Sequence, residues 1–442
     1  MLLTALFIIT SFVYVAGVFS LRRRFEVMLL FPFAFHYLIN VVGVLKVGLW
    51  GGDTLVGISV SHEMARQVAY EFFISNLITV SVAVCYVRFS CSIRVLPAIK
   101  AYYSGGRAKS DALWLVSAAG FFLLIDSLIY GTPPGLRYLT QGAADAALHK
   151  GAILESKMSS GVPVLGYLVR YLPVVAFVHV GFGYIFCPRR YRGAFTLVIA
   201  IFAIYSFLSL VKSYLLFPAS FFLFAYVVMS GRGVLRLLPW LFAIVSMTLL
   251  SFAALPGSAD GVLITLVRRV FLAQSDGMFL IRDMFSGPSL DALFLSSPLR
   301  HFLDLNVFDP AAVLVESYFG VGEGWVNMNS YFSGQAWVMF GAWYMLLVPL
   351  SWFVQILLIK FVLRGLKTRD LAVVILVSLN IFLPLSNNIA NLVWFKDLVA
   401  AVIIVCAVII ARFLHALMRF SRRAPLGSTL VATRAAESSS TA

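Results

Sequence analysis

Apolar runs of about 20 residues, separated by short polar stretches, recur from one end of the chain to the other. That is the length an α-helix needs to cross ~30 Å of hydrocarbon. The pattern predicts an all-α polytopic membrane protein of about eleven spans, at residues 1–20, 27–50, 67–87, 112–130, 161–186, 194–211, 214–230, 237–255, 336–360, 371–386 and 398–416. Ten-residue alternation of the kind that builds a membrane β-barrel is absent. No fixed-period repeat or soluble domain is visible, so residues 1–420 read as a single transmembrane domain. One interval, 256–335, is long and polar, and a multispanning chain keeps such a loop for a functional reason. The tail from Ser421 is basic and then rich in Ser, Thr and Ala, a composition that predicts disorder over 421–442.

Composition supports this picture. The chain is 61% hydrophobic and 12% charged, about half the charge of a soluble domain. Its net charge of +15 would suit nucleic acid, but the positions of the charges decide otherwise. In this topology 22 of the 34 lysines and arginines fall on one side, in clusters such as Arg22-Arg23-Arg24 and Arg189-Arg190. The positive-inside rule makes that side cytoplasmic, with the N-terminus outside and the C-terminus inside. The first apolar run lacks a basic start and meets three arginines at once, which reads as a retained span rather than a cleaved signal. The four cysteines form no CxxC pair, so neither disulfides nor zinc are expected.

Twelve cations escape the inside bias: Lys46, Arg66, Arg137, Lys150, Lys157, Arg170, Lys212, Arg268, Arg269, Arg282, Arg300 and Lys396. Most belong to the outer face, where they predict an anion-binding site. Arg170, about nine residues into the fifth span, is costly there by ~2.5–3.5 kcal/mol. It is either functional or snorkels from a helix that starts late. Lys212 sits between two spans, as a turn residue or as a cation at the mouth of an outward cavity. Arg268, Ser275 and Arg282 follow at spacings of seven and would share one face of a continuous helix, although Gly277 weakens that helix. Alternatively the stretch LVRRVFLAQ lies along the membrane surface. Arg137 and Arg300 complete the outer cations, and arginine grips phosphate well through paired, charge-assisted bonds. Glu323, His301 and Asp276 are the candidate bases, each against the plainer reading of a solvated loop residue. GVGEGW lacks the lysine of a phosphate-binding loop, and no metal-binding or HExxH spacing occurs.

Two stretches carry a resemblance. They are LVRRVFLAQSDG at 266–277 and WVNMNSYFSGQAWVMFGAWYMLLVPL at 325–350, set within the whole-chain layout of spans and one large outer loop. The chain resembles the Wzy-type oligosaccharide repeat-unit polymerases, also called O-antigen polymerases. The resemblance implies a helical bundle similar to the lipid-sugar-dependent (GT-C-like) glycosyltransferases. It implies a bacterial inner-membrane enzyme that moves a growing glycan from undecaprenyl diphosphate onto an incoming lipid-linked repeat unit. By the same resemblance no cofactor or metal is required, outer-face arginines hold the diphosphate, and a further protein sets chain length. A ligase that uses the same donor, and a transporter or flippase of a lipid-linked sugar, are the alternatives. The intramembrane acidic pairs of a proton-coupled pump and the two pseudo-symmetric halves of many transporters are not seen in the sequence.

Overall fold

The computed structural model describes residues 2–50, 52–53, 59–90, 96–129, 131–142, 145–146, 149–150, 152–153, 163–211, 213–230, 273–297, 299, 302–303, 305–320, 330–383, 385 and 389–423. Fifteen helices of eight residues or more carry the fold. They are α1 (Leu2–Leu21), α2 (Phe31–Trp50), α3 (His62–Phe89), α4 (Leu96–Ser104), α5 (Gly106–Ile129), α6 (Pro134–Gln141), α7 (Pro163–Phe186) and α8 (Pro188–Ser209). The rest are α9 (Ser213–Ser230), α10 (Ala273–Met284), α11 (Pro310–Phe319), α12 (Tyr331–Phe340), α13 (Tyr344–Leu363), α14 (Arg369–Ile381) and α15 (Lys396–Arg423). The one sheet among the described residues is a two-residue ribbon, Gly52–Asp53 against Ser59–Val60.

Eight apolar segments are long enough to cross a membrane, and Leu215–Met229 within α9 is a shorter apolar helix. Burial shows which surface meets lipid. Along α1 only Leu3, Thr10, Tyr14, Gly17 and Leu21 are buried, a narrow stripe that packs on α3. Ile8, Phe12, Val15 and Phe19 point outward and are exposed. Similar apolar outer faces on α5 and α15, with Phe121, Leu124, Ile410 and Phe413, form a girdle far larger than a water-soluble surface tolerates. The outer segments bury a stripe against their neighbours and leave the rest to hydrocarbon, while Phe25–Trp50 and Val164–Phe186 are mostly enclosed, so the protein is membrane-embedded.

Three differences from the sequence expectation matter. The predicted span at 237–255 lies outside the described residues. The tenth predicted span, 371–386, is α14, only 13 residues long, or about 20 Å. The chain after it is buried at Leu383, Leu385, Ile389, Ala390 and Leu392, the last two in a four-residue helix, Ala390–Val393. The ninth, 336–360, belongs to an apolar stretch Tyr331–Leu363 that is not one helix. It breaks at Gly341, whose φ is +57°, and doubles back, since the rings of Phe332 and Tyr344 lie 6.3 Å apart. Residues 12 apart on a continuous helix would be separated by about 18 Å.

The described basic clusters gather at one end. Arg24 donates to the carbonyls of Val87 and Arg88 at the end of α3. Arg190 donates to Ser104 O at the end of α4. Lys360 Nζ donates to Ser90 Oγ (2.8 Å), which in turn donates to Glu26. Arg412 bridges Thr368 Oγ1 (3.1 Å) and Asp111 (3.3 Å). Cations at helix C-termini satisfy orphan carbonyls and complement the dipole.

Close helix approach fixes α2 against α3 at Gly48, where an added Cβ would lie 2.6 Å from Ala69 Cβ. Gly193, near the start of α8, has open space around it. Gly48→Val should therefore destabilise the protein by about 1–3 kcal/mol, while Gly193→Ala should be neutral or slightly stabilising. Thermal unfolding in detergent separates the two; equal effects would contradict the packing described.

Candidate functional site

Two short helices occupy the heart of the bundle at the end opposite the basic clusters. α10 reads AQSDGMFLIRDM, with Asp276 in its first turn and Arg282 in its last, the charge order a helix dipole favours. Every residue from Ser275 to Ile281 is buried, as expected of a helix enclosed by other helices. α10 packs on α2, α3, α11 and α12. Gly334 of α12 lets the two backbones touch, because a Cβ there would sit 3.3 Å from Met278 Cα.

The depth of these helices follows from α3, which starts at His62. Glu71 lies nine residues along it and Asn76 fourteen, or about 14 and 21 Å. Tyr331 opens α12 and donates to Asn76 Oδ1 at 2.7 Å. Tyr14 of α1 donates to the same oxygen at 3.0 Å. Further along, Arg282 meets Glu71 at 3.0 Å and stacks 4.0 Å from the Trp337 ring. Thus α10 and α12 rise together from the level of Asn76 to that of Glu71. α12, ten residues long, is a half-helix whose N-terminus at Ser330 lies inside the bundle, and the described part of α10 runs beside it. Tyr331 adopts φ +49°, a left-handed conformation that is unfavourable for a bulky residue. The hydrogen bond to Asn76 and the surrounding rings of Phe72, Phe332 and His36 hold it there.

Arg282 is the most constrained of the expected cations. Its side chain is 10% exposed. Nη2 pairs with Glu71, which also accepts from the Tyr344 hydroxyl at 3.5 Å. Nη1 is buried, with no hydrogen-bond partner among the described residues. A guanidinium nitrogen left bare in a site of low dielectric is a strong donor for an anionic or hydroxyl oxygen. Beside it, Gln335 donates to Asp309 and accepts from Ile389 N, both at 3.0 Å. This ties α12 to the loop before α11 and to the irregular chain after α14. Burial raises the Asp309 carboxyl above its ordinary value, against the pull of the Ala311 and Ala312 amides.

Of the other expected residues, Arg170, Arg137 and Asp276 are among those described. Arg170 is exposed and lies 5.2 Å from the Tyr171 ring. Arg137 pairs with Asp145 at 3.6 Å, both side chains partly exposed. Asp276, a candidate base whose plainer reading is a solvated loop residue, is buried in the first turn of α10, 2% exposed. Its surroundings are therefore protein rather than water. Arg268, Arg269, Lys212, Arg300, His301 and Glu323 lie outside the described residues.

Sequence reasoning missed Glu71 and Asp397. Asp397, in the first turn of α15, is buried and accepts from the Tyr171 hydroxyl and from Gln355 Nε2 (3.3 Å). Arg170 provides the nearby positive charge. The visible signal was an acid at the edge of an apolar run, preceded by Lys396. Among the described residues no group of three metal-ligating side chains occurs.

Asn76 offers a test of this interior. Asn76→Leu strands two buried phenols, which should cost about 1–3 kcal/mol for each. Adding Tyr14→Phe and Tyr331→Phe should recover much of that loss, because matched apolar replacement removes the stranded donors. Unfolding of the single and triple variants measures it; a triple variant no more stable than Asn76→Leu would contradict the shared acceptor. Compared with known proteins, the chain matches no family model, no curated protein and no solved structure, so its function rests on the chemistry of these side chains.

Proposed function

We propose that the protein is a polymerase of lipid-linked oligosaccharide repeat units, with Arg282 a donor to the diphosphate of the lipid carrier. The observation that carries this reading is the bare Nη1 of Arg282, set on an aromatic platform at the end of the bundle opposite the basic clusters. A diphosphate leaving group needs donors already in place as charge develops. Glu71 fixes one edge of the guanidinium and leaves the other for substrate. Trp337 adds a flat surface of the kind that sugars and cations both accept.

On this reading the basic end is cytoplasmic and the membrane is the bacterial inner membrane. The growing glycan leaves undecaprenyl diphosphate for a hydroxyl of the incoming lipid-linked unit. The C1–O bond to the diphosphate breaks, a new C1–O bond forms, and the hydroxyl proton passes to a base. Asp276, His301 and Glu323 remain the candidates for that base, and Arg170, Arg268, Arg269, Arg300, Arg137 and Lys212 the further cations. A protein that sets chain length is the expected partner. An O-antigen ligase would use the same donor site with a different acceptor.

A transporter or flippase of a lipid-linked sugar is a second reading. The observation favouring it is the half-helix α12, whose N-terminus lies inside the bundle, an arrangement many transporters use to bind anions.

One reconstitution distinguishes the readings. Purified protein in liposomes with lipid-linked repeat units should yield a ladder of products. Arg282→Lys keeps the charge and the pair with Glu71 but loses the planar fork and the stacking on Trp337. It should fold and lose long products by about a hundredfold, the equivalent of about 2.7 kcal/mol. Transport across the bilayer with no chain growth would replace the first reading by the second.

A further inference from the structure

At the basic end, far from Arg282, a cavity of about 260 Å³ opens between α5, α14 and α15. Its walls include Trp114, Leu371 and Val408, and its polar edge is Ser110, Asp111 and Arg412. It is part of neither the half-helix site nor the Asp397 cluster. Leu414 lines it and is also 51% exposed. Around that opening Leu113, Ile409, Ile410 and Phe413 face outward. The mouth therefore lies on the lipid-facing girdle and not on a watery surface.

We infer that this cavity is a binding site for an anionic phospholipid of the leaflet at the basic end. One acyl chain enters between the apolar walls, and the phosphate sits against Arg412. Three features select that occupant. The walls are apolar and open sideways to the bilayer, so an acyl chain reaches them without crossing water. Arg412 is held in place by Thr368 and Asp111 and needs no reordering to meet a phosphate oxygen. The adjoining stretches of α5 and α14 add Arg107, Lys109, Lys367 and Arg369, against Asp111 and Asp370. Five cations to two acids give a positive excess that favours a negative headgroup. Asp111 neutralises Arg412 in part, and its hydrogen bond from Tyr102 at 3.4 Å draws some of its charge toward α4.

The test is native mass spectrometry of the full chain in detergent, titrated separately with phosphatidylglycerol, phosphatidylethanolamine, phosphatidylcholine and inorganic phosphate. Phosphatidylglycerol should be retained, and the two zwitterionic lipids and free phosphate should be lost. Arg412→Gln should weaken retention about fivefold, the share of one cation near a charged lipid. Ala411→Trp, which fills the cavity and removes no charge, should abolish it. Equal retention of all three lipids would overturn the headgroup assignment. Phosphatidylglycerol retained unchanged by both variants would overturn the location. If Arg412→Gln fails to fold, Ala411→Trp and the lipid series still decide.

Discussion

Hydrocarbon supplies no hydrogen bonds, and that constraint governs everything unusual in this structure. A backbone that stops being helical inside the membrane must find partners within the protein. α10, α12 and the irregular chain after α14 meet this demand by being enclosed. Gln335 accepts the Ile389 amide, Val338 O accepts the Ser289 amide, and Asn380 Nδ2 donates to Leu29 O. α2, α3, α11 and α13 pack around α10 and α12 and help keep them from lipid. The outer shell of long helices is thus the condition for an interior with short ones.

The same enclosure gives the candidate site its chemistry. Arg282 and Glu71 are both removed from water, so their attraction is strong and screening by salt is weak. A paired charge in such a place is rarely there for stability alone, since apolar packing does that work as well or better. The bare Nη1 on that arginine, and the tyrosines gathered on Asn76, make the half-helix interior polar in a chain that is otherwise apolar. Asp397 with Tyr171 and Gln355 forms a second polar knot between α7, α13 and α15.

Much of the frame was legible in the sequence, because a span announces itself by length and apolarity alone. The runs at 1–20, 27–50, 67–87 and 112–130 all correspond to long helices, and the described basic clusters do share an end. What escaped was anything set by partners distant in the chain. Glu71 and Arg282 are 211 residues apart, and nothing near Glu71 marks it as more than an acid near a span end. The run at 336–360 was read as one helix because apolarity carries no sign of direction. Only Gly341, with its positive φ, betrays the reversal, and a glycine in an apolar run has several uses. The heptad spacing of Ser275 and Arg282 did place both on one helix, α10.

Chain order adds a consequence to the hairpin of α12 and α13. A helix of ten residues, carrying a serine and a glutamine among its buried positions, has no stable resting place in lipid by itself. Its seat is formed by α3 and α10, and both are synthesised earlier. Part of the surroundings of α12 thus precedes it in the chain, and the reversal at Gly341 brings α13 back to cover it.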